Sequence, residues 1–133
     1  DISIQELIGD TLDAFYMEIQ NRGTKLNVDI EDRFIHVDID QMQRAITNII
    51  SNAVRYAKTQ IMITCKGNVL TIWNDGLHLS EGDKKKMFDR FYMGEGGSTG
   101  IGLSLAKEII EQHGFEIKAD NLEDGVCFMI MLK

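Results

Sequence analysis

The sequence contains no proline, and its glycines concentrate near residues 94–102. Because linkers are typically rich in proline, glycine or serine, this composition leaves no obvious boundary inside the chain. No repeat or low-complexity segment divides it either. We therefore expect residues 1–133 to form one domain, which is large enough to bury a core without disulfides or a structural metal.

Long apolar runs are also missing. The longest unbroken one covers residues 126–132, far short of the roughly 20 residues that a membrane-spanning helix needs. No basic segment followed by an apolar one opens the chain, which predicts that it carries no signal peptide. The first residue is Asp1 rather than methionine, so we expect the chain to be a piece of a longer protein.

Cysteine and positive charge are both scarce. Cys65 and Cys127 lie in strand-like runs without metal-ligand spacing, which predicts reduced core residues of a cytosolic protein. The net charge of −7 and the pI near 4.9 argue against nucleic acid as a partner. A local exception is the basic cluster beside the glycine-rich stretch, formed by Lys84, Lys85, Lys86 and Arg90.

Apolar periodicity predicts three main helices. Ser3 and Glu6 fit a capping box that begins the first helix, and Gly23 ends it. The second helix follows Asp38 or Asp40 and carries the strongest helical pattern of the chain. The remaining elements are expected to be a hairpin of residues 25–30 and 33–37, strands at 60–65, 69–74, 115–119 and 126–132, a short helix at 82–87, and a third long helix from Thr99 or Gly100. This order predicts an α+β domain, a two-layer α/β sandwich with three main helices on a mixed, largely antiparallel sheet.

The glycine-rich stretch is the first candidate for chemistry. It is not a Walker loop, because Leu103 stands where the phosphate-binding lysine must be. It is not a dinucleotide fingerprint, because Leu105 replaces the third glycine and no strand precedes it. Glycines that run into a helix N-terminus favour a phosphate group, although a mobile surface loop before an ordinary helix has the same composition.

Asn48 and Asn52 are the second candidate. They lie one turn apart on the flank of the apolar stripe of the second helix, and Arg55 and Tyr56 continue that flank. Asparagine is a mediocre helix former, so two on a partly buried face need an explanation. They are either ordinary polar surface residues or amide-oxygen ligands for a hard cation such as Mg²⁺.

Two further segments are polar or aromatic. Trp73-Asn74-Asp75-Gly76 ends a strand in what is alone an ordinary turn, and Phe88-Asp89-Arg90-Phe91-Tyr92 leads into the glycine-rich stretch. Taken in order, four segments resemble the N, G1, F and G2 boxes of sensor histidine kinases: Asn48-x-x-x-Asn52, Asn74-Asp75-Gly76, Phe88-x-Arg90-Phe91-Tyr92 and Gly100-Ile101-Gly102-Leu103. The resemblance covers almost the whole chain.

The resemblance implies the Bergerat fold and a catalytic, ATP-binding domain that uses ATP and Mg²⁺. It assigns the metal to Asn52, with Asn48 beside it, and it assigns the phosphates to Arg55 and Arg90. Tyr56 is expected to approach the ribose or base. Gly100 and Gly102 are expected to let the backbone close over the phosphates, with further nucleotide contacts from Gly76, Leu79, Phe91, Thr99, Ile101 and Leu103.

Adenine recognition is assigned by the same resemblance to the end of the predicted strand at 69–74. The family has an aspartate at the position of Asn74, which keeps a carbonyl acceptor for the adenine amino group. Asp75 is the alternative for this role. His78 replaces the second glycine of the G1 box.

The position of Asn48 separates function classes. The related ATPases and serine kinases carry a glutamate there as general base, and an amide cannot accept a proton near pH 7. This favours transfer to a histidine, and an ATPase or a non-phosphorylating interaction domain is the alternative. None of His36, His78 and His113 lies in a helical hairpin before an acidic residue, so the acceptor is expected on another domain.

The resemblance also implies partners. They are the dimerisation and histidine phosphotransfer domain of the parent kinase, which would form a homodimer, and indirectly a response regulator. This domain itself is expected to contact neither nucleic acid nor membrane. It would be a cytoplasmic domain of a parent protein in the cell membrane.

Overall fold

The computed structural model describes residues 1–89 and 102–132. Its helices are α1 (Ile4–Asp13), α2 (Tyr16–Arg22), α3 (Ile39–Tyr56), α4 (Glu81–Lys86) and α5 (Gly102–Gln112). Its strands are β1 (Ile2–Ser3), β2 (Lys25–Ile30), β3 (Phe34–Ile35), β4 (Gln60–Lys66), β5 (Val69–Asp75), β6 (Glu116–Leu122) and β7 (Gly125–Met131).

The main sheet has the strand order β2-β4-β5-β7-β6. Strand β2 runs parallel to β4, and every other neighbouring pair is antiparallel. Helices α1, α3 and α5 pack with this sheet around one apolar core. The predicted two-layer α/β sandwich with a mixed, largely antiparallel sheet is therefore confirmed.

The core lies between the helices and one face of the sheet. Alternate residues of β4, such as Ile61 and Ile63, are buried there, as period-two patterning requires. Helix α3 contributes the largest apolar stripe, with Met42, Ala45, Ile46, Ile49, Ile50, Ala53 and Val54 all buried. The consequence is that the polar flank of α3 is left at the edge of the helical layer, next to α5.

The predicted hairpin of residues 25–30 and 33–37 is wrong. Strand β2 pairs in parallel with β4, while β3 pairs with the N-terminal strand β1. Parallel pairing brings half-buried Leu26 and Ile30 beside Ile61 and Cys65, so β2 covers an edge of the core. Alternation of apolar and polar residues indicates which face is buried but not which strand is the neighbour.

The predicted first helix is two helices. Ser3 accepts a hydrogen bond from the Glu6 N–H, as the predicted cap requires, but α1 ends at Asp13 and α2 begins at Tyr16. Phe15, between them, has φ −109° and ψ 1°, and its side chain packs against the core. Periodicity did not reveal the break, because Phe15 and Ile19 still pack on the core side of both helices.

The other predicted elements are found with small shifts at their ends. Asp38, not Asp40, caps α3, with its carboxylate accepting from the Gln41 N–H at 3.0 Å. Ser80 caps α4 in the same way. The predicted start of the third long helix, at Thr99 or Gly100, lies outside the described residues. Within them, α5 begins at Gly102.

Both cysteines are buried and free, as predicted. Burial raises the pKa of each thiol, so neither is an activated nucleophile. Within the described ranges, 1–89 and 102–132, none of the helices combines the length and the apolar character of a membrane span.

Candidate functional site

The polar flank of α3 faces the beginning of α5 across a cleft. Asn48, Ser51, Asn52 and Arg55 line it from one side, and Gly102 and Leu103 line it from the other. The four α3 residues share a face because positions three and four apart on a helix point the same way. The structure thus brings together five predicted site residues and adds Ser51, which the sequence analysis did not single out.

Asn48 is bonded across this cleft. Its Nδ2 donates a 3.0 Å hydrogen bond to the carbonyl oxygen of Gly102. A carbonyl oxygen only accepts, so the amide nitrogen must point at Gly102 and the amide oxygen must point elsewhere. Asn48 therefore ties α3 to the first turn of α5 and still has an oxygen with which to bind a ligand.

Asn52 and Arg55 supply the remaining chemistry of the cleft. Asn52 is half-buried one turn after Asn48, and Arg55 is exposed beside it. Amide oxygens are suitable ligands for Mg²⁺, which binds few protein groups and keeps several waters or phosphate oxygens. The amide pair therefore fits a cation that arrives with its own anionic ligands, and the guanidinium fits one of those anions.

Asp75, at the end of β5, is bonded to the loop that follows α3. One carboxylate oxygen accepts from the N–H groups of Lys58, Thr59 and Gln60 at 3.0, 2.9 and 3.0 Å, and the other accepts from the Thr59 hydroxyl. Burial by itself raises the pKa of this carboxyl group, but the hydrogen bonds from Thr59, Gln60 and Lys58 outweigh it and hold the pKa below its ordinary value. Both oxygens of Asp75 are thus engaged within the protein.

Asn74 differs from its neighbour. Its side chain is buried, with 2% of the residue exposed, and its Nδ2 donates to the carbonyl oxygen of Asp75 at 2.9 Å. The same reasoning as for Asn48 fixes the amide orientation, so Oδ1 is the atom with acceptor capacity to offer. The two neighbouring residues therefore differ in geometry: both carboxylate oxygens of Asp75 are bonded within the protein, and the amide oxygen of Asn74 keeps acceptor capacity.

Gly76 and Gly125 let backbones meet around Asn74. Gly76 has φ +148°, and a side chain on it would place Cβ 2.7 Å from the carbonyl oxygen of Tyr56. A Cβ on Gly125 would overlap the Asn74 carbonyl group. Tyr56, Asn74 and Gly76 consequently lie together where α3 ends beside β5.

Leu79 lies on the segment between β5 and α4. Its backbone N–H and carbonyl both bond to the side chain of Asn121, and its own side chain packs against the core. Asn121, Thr59 and Gly125 were missed by sequence reasoning. A glycine in a strand often marks a place where another backbone approaches closely, so the sequence does contain a signal for Gly125. The other two had none.

The predicted site residues fall into three groups. Asn48, Asn52, Arg55, Gly102 and Leu103 line the cleft, while Tyr56, Asn74, Asp75, Gly76 and Leu79 lie at and after the end of β5. The last turns of α3 connect these two groups. The third group lies outside the described residues: Arg90, Phe91, Thr99, Gly100 and Ile101.

His113 is used in the fold. Its Nδ1 donates to the Ile109 carbonyl oxygen at 2.8 Å, and its Nε2 accepts from the Asp38 N–H at 3.1 Å. Both ring nitrogens are therefore committed to joining the end of α5 to the beginning of α3.

Comparison with known proteins gives a family and close structural matches. Residues 37–133 match the family described as histidine kinase-, DNA gyrase B- and HSP90-like ATPase. The sensor histidine kinase CssS of Bacillus subtilis is 31% identical over 132 residues, which cover 96% of this chain and 29% of CssS. The catalytic domain of the histidine kinase ThkA superimposes with a TM-score of 0.87 at 25% identity, covering 98% of this chain and 93% of that domain. A further structure contains ThkA in complex with the response regulator protein TrrA.

Proposed function

Because this chain belongs to the histidine kinase-, DNA gyrase B- and HSP90-like ATPase family, we propose that it binds Mg²⁺-ATP and transfers the γ-phosphoryl group to a histidine on a separate dimerisation domain of the same sensor kinase. The observation that carries this proposal is the polar flank of α3. It puts two amides and a guanidinium in one cleft with the first residues of α5. Such a cleft binds a cation and an anion together.

The phosphate end of the site is the cleft between α3 and α5. Asn52, with Asn48 beside it, would hold the magnesium ion through amide oxygens, and Arg55 would bind a phosphate oxygen. A magnesium ion held there would neutralise charge on the phosphates. Arg90 is proposed as a second cationic contact to the transferred group, and Phe91, Thr99, Gly100 and Ile101 as contacts close to the phosphates.

The base end of the site is the end of β5. We assign adenine to Asn74 rather than Asp75, because the Asp75 carboxylate is taken up by the loop of residues 58–60. The Oδ1 of Asn74 would accept a hydrogen bond from the adenine amino group. Asp75 then acts indirectly, since it holds the chain that follows Tyr56, whose ring is proposed to face the ribose or base.

Asn48 favours a kinase over a hydrolase. Its amide nitrogen is engaged by Gly102 and its amide oxygen has no useful basicity, so it cannot remove a proton from water. A histidine nucleophile carries its own lone pair and needs no such base. Positioning and charge neutralisation then supply most of the catalysis.

The partners of the domain are also proposals. The chain spans 29% of the length of CssS, so the acceptor histidine and the dimer contacts would lie on other parts of a longer kinase. We infer that a response regulator is the next recipient of the phosphoryl group, as the complex of ThkA with TrrA suggests by analogy. The domain would then work on the cytoplasmic side of a parent protein in the cell membrane.

Two measurements on the folded chain test the function. Calorimetric titration should detect ATP binding that requires Mg²⁺. Incubation with the dimerisation domain of the parent kinase should then give an acid-labile phosphohistidine. A folded chain without affinity for Mg²⁺-ATP would contradict the proposal, and rapid phosphate release by the chain alone would indicate an ATPase instead.

A further inference from the structure

Residues 76–79 run beside the tip of the β6–β7 hairpin. The Gly76 N–H donates to the Asp124 carbonyl oxygen at 3.0 Å, and the His78 Nε2–H donates to the Glu123 carbonyl oxygen at 2.6 Å. Leu79 bonds to Asn121. The partners of residues 76, 78 and 79 are residues 124, 123 and 121, so residue numbers rise along one segment while they fall along the other. The segment after β5 is therefore fastened along its length to the hairpin, in antiparallel order.

The bond to Leu79 is the most specific of these contacts. Oδ1 of Asn121 accepts from the Leu79 N–H at 2.7 Å, and Nδ2 donates to the Leu79 carbonyl oxygen at 3.1 Å. A carboxylate could only accept and a hydroxyl group could not span both atoms, so this arrangement needs a side-chain amide. Asn121 thus supplies the two hydrogen bonds that a neighbouring strand would otherwise make with the backbone of Leu79.

The partial burial of Asn121 and Leu79 makes the hydrogen bonds between them important for stability. Asn121 and Leu79 are both half-buried, and Asn121 lies on the helix-facing side of β6, the side of buried Ile117. Backbone groups removed from water are costly to leave unpaired. The nearby ion pair of Lys84 with Asp120 joins α4 to β6, and its carboxylate is exposed, so solvent weakens it.

We propose that Asn121 is a positioning residue for nucleotide recognition, acting through Leu79 on the base end of the site. The inference rests on the proposed function, because it takes Asn74 as the residue that reads adenine. Asn74 and Asp75 immediately precede the segment, and Asn121 holds its far end. Without that anchor, Leu79, which the family resemblance also assigns to the nucleotide, loses its fixed position, while Asp75 and Gly76 keep their own bonds to residues 58–60 and to Asp124.

The test compares two asparagines at opposite edges of the sheet. Asn121→Ala removes the anchor on β6, and Asn27→Ala removes an exposed asparagine from β2, at the other edge. Dissociation constants for Mg²⁺-ATP and Mg²⁺-GTP are measured at a temperature where thermal melts show each variant fully folded. Hydrogen exchange reports the Leu79 amide.

Asn121→Ala should weaken ATP about tenfold, the loss expected from roughly one net hydrogen bond. The same variant should weaken GTP binding by a smaller factor, so that the ratio of the GTP to the ATP dissociation constant falls. Hydrogen exchange of the Leu79 amide should become faster. Asn27→Ala should leave all three quantities unchanged. Asn121→Asp keeps the acceptor for the Leu79 N–H but loses the donor, so its ATP affinity should be intermediate; it also carries the comparison if the alanine variant does not fold.

Each other outcome is decisive. If the parent chain binds ATP and Asn121→Ala binds it equally well, the inference fails while the proposed function stands. If ATP and GTP weaken by the same factor, Asn121 has only a structural role and the inference fails. If the folded parent chain binds no ATP, the proposed function fails and this inference fails with it.

Discussion

The amide nitrogen of Asn48 donates to the carbonyl oxygen of Gly102, 54 residues later, and so joins the polar flank of α3 to the first turn of α5. This bond spans the cleft where we place the phosphates. It leaves the Asn48 oxygen for a ligand and fixes the direction in which that oxygen points. Asn48 and Asn52 therefore have different consequences for stability although they lie on one flank.

Replacing Asn48 by alanine should lower the free energy of unfolding by about 1 kcal/mol, because the Gly102 carbonyl loses a partly buried partner. Urea denaturation measures this loss. Exposed Gln41→Ala, at the beginning of the same helix, is a control for side-chain truncation on α3 and should cost less. Equal losses for the two variants would argue against the bond across the cleft.

Replacing Asn52 by alanine should abolish phosphoryl transfer and change the free energy of unfolding by less than about 0.5 kcal/mol. The residue lines the cleft on a half-buried flank, where it supplies a ligand atom and little core volume. A phosphohistidine assay beside a thermal melt measures both quantities. Robust transfer by a folded Asn52→Ala protein would contradict the metal assignment.

The sequence was sufficient for most of the fold, and the wrong prediction of the first hairpin has a physical cause. The helical face of α3 and the faces of β4 and β5 follow from periodicity, which reflects burial on one side. The choice of neighbouring strand does not follow from periodicity. Strand β2 pairs with β4, which lies beyond the whole of α3, and no local pattern encodes that choice.

The site divides in the same way. Asn48, Asn52 and Arg55 were predictable because helical spacing alone puts them on one face. The engagement of Asp75 depends mostly on the backbone N–H groups of Lys58, Thr59 and Gln60, which nearly any sequence possesses, and in addition on the Thr59 hydroxyl. Side-chain-to-backbone bonds across the fold leave no residue-type signature, so neither this contact nor that of Asn121 could be predicted.

Asp75→Asn should lower the free energy of unfolding by about 1–3 kcal/mol near pH 7, since a carboxylate that accepts several hydrogen bonds is replaced by an amide. The pKa of Asp75 is lowered in the folded state, so its contribution is present above the unfolded pKa of about 3.9 and is lost as the pH falls through the folded value. The gap between parent and variant should therefore close in strong acid.

Urea denaturation at a series of pH values from neutral to acid checks this behaviour. Asp10→Asn, at an exposed position on α1, is the matched control and should have a smaller effect near pH 7. A gap that stays constant down to strong acid would mean that the charge of Asp75 does not contribute.

Asn74→Ala should weaken Mg²⁺-ATP by about 1–3 kcal/mol, because a buried acceptor for the adenine amino group disappears. Asn74→Asp retains an acceptor and should still bind ATP. Its carboxylate, however, cannot donate to the Asp75 carbonyl oxygen, so it should lower the free energy of unfolding by about 1 kcal/mol. Calorimetric titration and urea denaturation measure the two effects separately. Unchanged ATP affinity in Asn74→Ala would remove Asn74 from the base site.

The last prediction contrasts two glycines. A Cβ on Gly125 would lie 2.8 Å from the Asn74 carbonyl carbon and 2.9 Å from the Asp75 Cα, and these are backbone atoms that cannot rotate away. Gly125→Ala should therefore lower the free energy of unfolding by about 2–4 kcal/mol through forced separation of β5 and β7.

Gly9 is the matched control, because it lies inside α1 with no atom within 4 Å of the position that a Cβ would occupy. Gly9→Ala should raise the free energy of unfolding by about 0.5–1 kcal/mol, since alanine loses less backbone entropy than glycine in a helix. In thermal melts, Gly125→Ala should lower the melting temperature and Gly9→Ala should raise it if β7 approaches Asn74 as closely as described. A Gly125→Ala protein as stable as the parent would show that the two strands are further apart, and the backbone support for Asn74 would then have to come from elsewhere.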